Sequence, residues 1–514
     1  MRARKGTVYL VGAGPGDPGL ITWRGLQMVR TADVLVYDRL VSPELILETS
    51  PASRRIYVGK AASRHALPQV KINELLAREA SAGYAVCRLK GGDPFLFGRG
   101  GEEADHLAER GIPFVVVPGV TSALAVPAYA GIPVTDRRVA SSVTITTGRG
   151  DVERTEPAVN WRAFAGDGTL VILMGVKNLS EITGELLASG RPGSTPAAAI
   201  RMGTTGRQQT IVSDLSHLAE EASRCNLTPP AVLVIGEVVR MRQRLSWFEG
   251  RPLAGLRVLV PRPPHQASEL AERLREAGAE PLAFPLIRIE PLPVDLTRVR
   301  AVLTETWEWV IFTSANGVAA FAHHLLEAGL DWRSLAGARL AAIGPGTARA
   351  LQECKLRPDF VPSRAIAESL AEELPDICPG ARVLLPRAKE ARDVLPEILA
   401  GKGARVEALP VYRTLPEEEG AAALTAALKE DQVDVVVLTS SSTARALVEA
   451  VGLEPLRRCA IASIGPITSQ TARELGLEIA IEATTHTMDG LLSVMGEHFA
   501  SVVNDSTYDI RGAR

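Results

Sequence analysis

The chain has 514 residues, 46% of them hydrophobic and 23% charged, and a formal net charge of −2. That length predicts roughly three or four domains and the composition a soluble globular protein, while the near-neutral balance excludes the basic footprint of a nucleic-acid binder. No run approaches the roughly 18 apolar residues of a membrane span, Met1–Gly6 is too short for a signal peptide, and the scattered cysteines and histidines show neither metal-ligand nor disulfide-framework spacing, so a cytoplasmic enzyme without a metal is the default.

Thr7–Val11 predicts a short strand, followed by the loop Gly12-Ala13-Gly14-Pro15-Gly16-Asp17-Pro18-Gly19 and a helix over 20–30. The loop is not a dinucleotide fingerprint. Asp17 stands where the third glycine belongs, and Pro15 removes an N–H that a phosphate would use. A ligand with a flat or cationic group suits it better. Strands over 34–38 and 56–60 end in Asp38-Arg39 and in Lys60. These ionisable groups read either as surface charge or as site groups at strand carboxyl ends, where open α/β sheets bind ligands.

Val86–Leu89 predicts the end of a buried strand, and the chain then turns through Gly91-Gly92-Asp93-Pro94. Two glycines let a ligand approach the main chain, Asp93 offers a carboxylate, and Pro94 stiffens the loop. Glu102 and Glu103 open a helix, where acidic side chains favour the dipole. The expectation is a rigid, acidic-edged pocket. A strand over 114–118 leads into Gly119-Val120-Thr121-Ser122, whose hydroxyls read as N-caps or as ligand contacts. Strands over 143–146, 170–174 and 231–235 predict a second lobe of roughly 110 residues.

Trp247–Gly255 is short and aromatic, which predicts a docked junction and not a loose tether. Beyond it the sequence repeats. Val258-Leu259-Val260-Pro261-Arg262 recurs 125 residues later as Val383-Leu384-Leu385-Pro386-Arg387, and Pro285-Leu286-Ile287-Arg288 at the same spacing as Pro410-Val411-Tyr412-Arg413. Thr313-Ser314 recurs after 126 residues as Thr439-Ser440, and Ile343-Gly344-Pro345 after 121 as Ile464-Gly465-Pro466. So long an offset predicts two similar βα-alternating domains and not a solenoid. Each copy places Thr-Ser and Gly-Pro loops before helices, where backbone N–H groups and hydroxyls suit carboxylates or simply cap the helix.

The motifs VGAGPGDPGLIT, VYDRLVS, RLKGGDPFLFGRGGEE, VVPGVTSALAVPAYAGIPVTDR and LMG, in this order over about residues 6–245, resemble uroporphyrinogen-III C-methyltransferase of the tetrapyrrole methylases. The resemblance implies two α/β lobes, about 1–133 and 134–245, with S-adenosyl-L-methionine bound between them and leaving as S-adenosyl-L-homocysteine. Carried over by motif, the cofactor contacts are Pro15, Gly91, Gly92, Asp93, Leu96, Thr121, Ser122, Met174 and Gly203. Asp38 is implied as proton acceptor and Lys60 as proton donor, with no metal and with a homodimer formed through this half. The substrate is polyanionic, so cationic cleft residues are expected. Arg39, Lys60, Arg64, Arg137 and Arg149 are candidates, each readable also as surface charge.

The second half carries VLVPRP, FTSANGV, IGPGTA, LPRA, LPVYRT and LTSSSTA, and resembles uroporphyrinogen-III synthase from about 255 to 500. The implied fold class is α/β throughout: a two-lobed methylase, a linker over 246–255, and a two-domain synthase fold with one domain from 256–287 plus 415–500 and the other from 288–414. Residues 501–514 are expected to fray. The implied reaction cyclises hydroxymethylbilane with inversion of its last ring. Tyr412 is the candidate to assist hydroxyl departure, or else a core tyrosine. Arg262, Ser314, Asn316, Thr347, Arg387, Ser440, Ser441 and Thr468 are candidate substrate contacts. Together the halves imply a bifunctional enzyme that makes uroporphyrinogen III and methylates it at C2 and C7 to precorrin-2, toward sirohaem and cobalamin. The alternative is an active methyltransferase carrying a non-catalytic tetrapyrrole-binding module. Small-molecule tetrapyrroles are the expected partners, with no nucleic acid and no membrane.

Overall fold

Apolar runs of four to seven residues, punctuated by glycine and proline, form most of the strands of four five-stranded sheets. The computed structural model describes residues 2–50, 52–59, 67–148, 159–164, 166–261, 264–284, 286–293, 295–391 and 393–504. The first sheet contains β1 (Val8–Gly12), β2 (Val34–Tyr37), β3 (Arg54–Tyr57), β4 (Val86–Lys90) and β5 (Phe114–Val117) in the order β3-β2-β4-β1-β5. All its pairings are parallel, and the central strands are buried on both faces. The second sheet contains β6 (Val143–Thr147), β7 (Thr169–Leu173), β8 (Pro196–Arg201), β9 (Gln209–Asp214) and β10 (Ala231–Ile235), ordered β6-β7-β10-β8-β9 and antiparallel except for β6–β7.

Two sequence expectations shift here. The third strand begins at Arg54 and not at 56, because it lies at the sheet edge, where Arg54 pairs with Glu79 and covers the Tyr84 ring. The first helix runs Trp23–Thr31, since Asp17 caps a short 3-10 turn and Thr22 caps the true helix.

In the second half the chain starts one sheet, leaves to build another, and returns. It lays down β11 (Arg257–Val260) and β12 (Glu280–Ala283), then β13 (Ile287–Pro291), β14 (Trp309–Phe312), β15 (Arg339–Ala342), β16 (Arg382–Ala388) and β17 (Arg405–Pro416), and closes with β18 (Val435–Leu438), β19 (Ala460–Ser463) and β20 (Ile481–Glu482). The sheets are ordered β12-β11-β18-β19-β20 and β13-β17-β16-β14-β15. The repeated segments take equivalent places: β11 matches β16, β12 matches β17, β14 matches β18 and β15 matches β19. The two sequence copies are therefore not the two sheets, because each copy supplies half of each. The exchange is carried by β17, whose 12 residues pair parallel with β16 and then antiparallel with β13.

The junction is packed. Tyr129 stacks against Trp247 and Phe248 at 5.1 and 4.7 Å, and the Arg251 guanidinium lies 3.7 Å over the Phe248 ring. Leu253 is buried in the core of the third sheet. Direct contacts also join the halves: Gly255 N donates to Gly206 O at 2.9 Å, Arg207 pairs with Glu280 at 2.6 Å, and Arg275 pairs with Glu44. Among the described residues, no helix is long and apolar enough to cross a membrane, and no group of acidic, histidine or cysteine side chains could hold a metal.

Candidate functional sites

The glycines of the first half bring three loops into contact at the carboxyl ends of β1, β4 and β5. A Cβ on Gly12 would stand 2.5 Å from Gly119 Cα, and one on Gly119 would stand 2.3 Å from Gly92 O. Gly92 N donates to Gly14 O at 2.7 Å, closing a bridge between the turns after β1 and β4. Asp93 is held by backbone donors from two loops. Its Oδ1 accepts from Phe95 N and Leu96 N at 2.8 and 3.2 Å, and its Oδ2 accepts from Gly119 N at 3.0 Å. The carboxylate thus ties the β4 and β5 loops together.

The second lobe closes onto these loops. Asp17 N donates to Thr204 Oγ1 at 3.1 Å, and the Asp17 carboxylate accepts from Tyr129 Oη at 2.8 Å. A Cβ on Gly16 would stand 2.9 Å from Thr205, and one on Gly203 would stand 2.4 Å from Val126. Leu96 packs into the core of the second lobe beside Val126 and Leu173. Gly92, Thr121 and Ser122 adjoin at the ends of β4 and β5, while Leu96 and Gly203 both pack on the core that contains Val126. Thr121 is the N-cap of the helix Ser122–Tyr129. Several of these loops hold non-glycine residues at positive φ: Phe97, Arg99, Met174, Met202 and Thr204. Such conformations cost of order 1–3 kcal/mol and collect where a ligand dictates backbone shape.

Asp38 follows β2 with its side chain about a quarter exposed; Oδ1 accepts from Leu40 N at 3.1 Å, and Oδ2 lies 3.4 Å from Arg88 Nη2. Arg39 and Arg137 are exposed. Lys60, Arg64, Arg149 and Arg262 lie outside the described residues. Sequence reasoning missed what stands behind Asp38. Arg88 and Lys90, both buried, point from β4 to Glu103, whose Oε1 is 3.2 Å from Arg88 Nε and 2.8 Å from Lys90 Nζ. Burial and the neighbouring Arg88 push the Lys90 amine down from its ordinary pKa. The available signal was two cations at i and i+2 in a strand otherwise apolar, since such charges need a carboxylate partner.

In the second half the N-cap reading holds for both duplicated serines. Ser314 Oγ accepts from Gly317 N at 3.0 Å, and Ser440 Oγ from Thr443 N at 3.3 Å. Thr347 and Thr468 are buried at matching places in the helices Pro345–Glu353 and Pro466–Glu474. Ser441 Oγ accepts from Thr471 Oγ1 at 2.9 Å, and Asn316 is half-buried in the first turn after Ser314. Arg387 turns back on its own loop, pairing with Asp393 at 2.9 Å. Tyr412 is a core residue whose hydroxyl is hydrogen-bonded. Its ring lies in the core of the fourth sheet, and its hydroxyl is 2.9 Å from Ser314 Oγ. Burial raises the phenol pKa, so the hydroxyl keeps its proton and remains a donor.

Residues 7–219 match the family described as Tetrapyrrole (Corrin/Porphyrin) Methylases, and residues 268–493 match Uroporphyrinogen-III synthase HemD. A Ruminiclostridium josui protein named Porphyrin biosynthesis protein HemD is 36% identical over 96% of this chain and 98% of its own length. The chain belongs to the tetrapyrrole methylases in its first half and to the uroporphyrinogen-III synthases in its second. A Bacillus subtilis Uroporphyrinogen-III C-methyltransferase is 48% identical over 48% of this chain and 95% of its own length. A solved uroporphyrin-III C-methyl transferase from Thermus thermophilus, in complex with S-adenosyl homocysteine, is 40% identical over 46% of this chain and 93% of its own, with a TM-score of 0.40. The methylase half thus contains the three-loop contact and Asp38, and the synthase half contains Tyr412 and the paired caps.

Proposed function

We propose that the protein makes uroporphyrinogen III from hydroxymethylbilane in its synthase half and methylates it at C2 and C7 in its methylase half, giving precorrin-2. The observation that carries the reading is the meeting of the Gly12, Gly92 and Gly119 loops, in a chain whose methylase half is 48% identical to a named uroporphyrinogen-III C-methyltransferase. The proposed cofactor contacts suit S-adenosyl-L-methionine. They are small, apolar or hydroxylated, and their one charged side chain, Asp93, is turned into backbone N–H groups. A phosphate-free, cationic nucleoside fits such a lining, and glycine at 92 leaves the main chain open to it.

When bound, this cofactor supplies an electrophilic methyl group to a pyrrole carbon that is already nucleophilic. The loops fix the approach, and alignment of the reactants is the main catalytic contribution. The methylated carbon must then lose a proton. Asp38, partly exposed at the end of β2, is the carboxylate placed to accept it. Lys60 is the proposed proton donor. In the synthase half, the Tyr412 hydroxyl donates to the departing hydroxyl of the bilane, and the capped helix ends hold substrate carboxylates. We assign the halves to 1–245 and 256–500, with a homodimer formed through the first and the cytoplasm as the site of action.

The capping roles of Ser314 and Ser440 favour one other reading, a second half that binds tetrapyrrole without turnover. Supplying uroporphyrinogen III and S-adenosylmethionine directly tests the methylase half by itself. Dimethylated product is expected from the native chain. An Asp38→Asn protein that retains S-adenosylhomocysteine binding should lose at least tenfold in rate, and full turnover by it would remove Asp38 from the mechanism.

A further inference from the structure

The methylase half contains a buried charge cluster that neither the cofactor loops nor the fold requires. β4 lies in the middle of an all-parallel sheet, where apolar residues are the rule, yet Arg88 and Lys90 are buried there. Their shared partner, Glu103, is fully buried on the helix Gly100–Glu109. Among the described residues, the side-chain hydrogen bonds to Glu103 fall on Oε1, which also accepts from Gln69 Nε2 at 3.2 Å, while Oε2 is buried without a partner. Apolar replacements would pack this position at no electrostatic penalty. Among the charged members of the cluster, Asp38 is the one with a partly exposed side chain, next to Arg88 Nη2.

We propose that Glu103 is a positioning residue for methyl transfer, holding Arg88 and Lys90 as a paired cation set that orients the Asp38 carboxylate. This rests on the methyltransferase reading and deepens it. The charges balance in pairs: Arg88 and Lys90 against Glu103 and Asp38. Glu103 holds Arg88 by Nε, which leaves Nη2 facing Asp38 and Nη1 bonded to Leu89 O at 3.2 Å. Among the described residues, the other groups acting on Asp38 are Leu40 N, which donates to Oδ1, and the Lys90 ammonium, which interacts with it electrostatically. Removing one charge from the cluster changes the field at this carboxylate, so the acid limb of methyl transfer should move in a direction set by the sign of the charge removed.

The test is the pH dependence of methyl transfer to uroporphyrinogen III by the full chain, with S-adenosylhomocysteine affinity measured in parallel. Glu103→Gln leaves an extra positive charge near Asp38, so the acid limb should move to lower pH and the rate should fall at least tenfold, with affinity for S-adenosylhomocysteine within threefold of native. Lys90→Met removes a positive charge, so its acid limb should move to higher pH. Opposite shifts are the signature, because a purely structural role moves neither limb or both alike. If Glu103→Gln does not fold, the upward shift in Lys90→Met is still required. Unmoved limbs, or shifts of one sign, overturn the proposal while leaving the methyltransferase reading intact. A native chain that binds S-adenosylhomocysteine but transfers no methyl overturns both.

Discussion

The two halves shape their candidate sites by different means. In the methylase half the backbone does most of the shaping. Glycines meet at distances no side chain tolerates, and Phe97, Arg99, Met174, Met202 and Thr204 adopt positive φ in the loops of the site. In the synthase half the corresponding strand ends run into regular helix N-termini capped by Ser314, Gly344, Ser440 and Gly465. The positive-φ residues there, Lys355, Asp376 and Asp431, lie in turns away from those ends. A site of fixed backbone suits a small cofactor and an in-line transfer. A site of duplicated helix ends suits a long, flexible polyanion that must be folded by many weak contacts.

The largest expected effect breaks the fixed backbone. Gly119→Ala drives a Cβ into Gly92 O and Gly12 Cα, so it should cost about 3 kcal/mol in urea unfolding and abolish S-adenosylhomocysteine binding by calorimetry. Next comes Tyr412→Phe, which should slow ring-inverting cyclisation about tenfold, or about 1.4 kcal/mol in barrier, with the fold retained. Cyclisation at the native rate would leave Tyr412 as a core residue alone. Ser314→Ala removes a cap and the Tyr412 partner together and should cost about 1 kcal/mol of stability. Gly346→Ala is the counterpart of the first variant: nothing stands within 4 Å of its Cβ position in the helix Pro345–Glu353, so stability should rise by about 0.5 kcal/mol.

The smallest effect lies at the junction. Burial raises the Glu280 pKa in spite of Arg207. A raised folded pKa means that the stabilising contribution is present when Glu280 is protonated and is lost as pH rises through the folded value. Glu280→Gln should therefore flatten stability between pH 5 and pH 8, and at pH 8 it should match or exceed the native chain by up to about 1 kcal/mol. A larger loss at pH 8 than at pH 5 would assign the Arg207 pair a dominant stabilising role.

The contrast also governs what was legible in the sequence. Strands β1, β2, β4 and β5 followed from apolar runs and glycine turns, since local pattern fixes them. The internal repeat was legible from its spacing, but its division between two sheets came only from the family resemblance, because pairing of β11 with β18 spans long stretches of chain. Asp93 read as a ligand group because its three N–H partners are tertiary or depend on the loop shape. Arg88, Lys90 and Glu103 were visible singly, as strand and helix residues, while their meeting depends on how the helix Gly100–Glu109 packs on β4. Composition gave no hint of Tyr412 bonding to Ser314, which are 98 residues apart.

The central claim is that one chain performs consecutive steps on a tetrapyrrole. Incubating the pure protein with hydroxymethylbilane, with and without S-adenosylmethionine, and separating the products by chromatography tests it most directly. Uroporphyrinogen III without the cofactor and dimethylated product with it are the expected results. Uroporphyrinogen I alone, the product of spontaneous closure, would contradict the claim and leave the second half as a binding module.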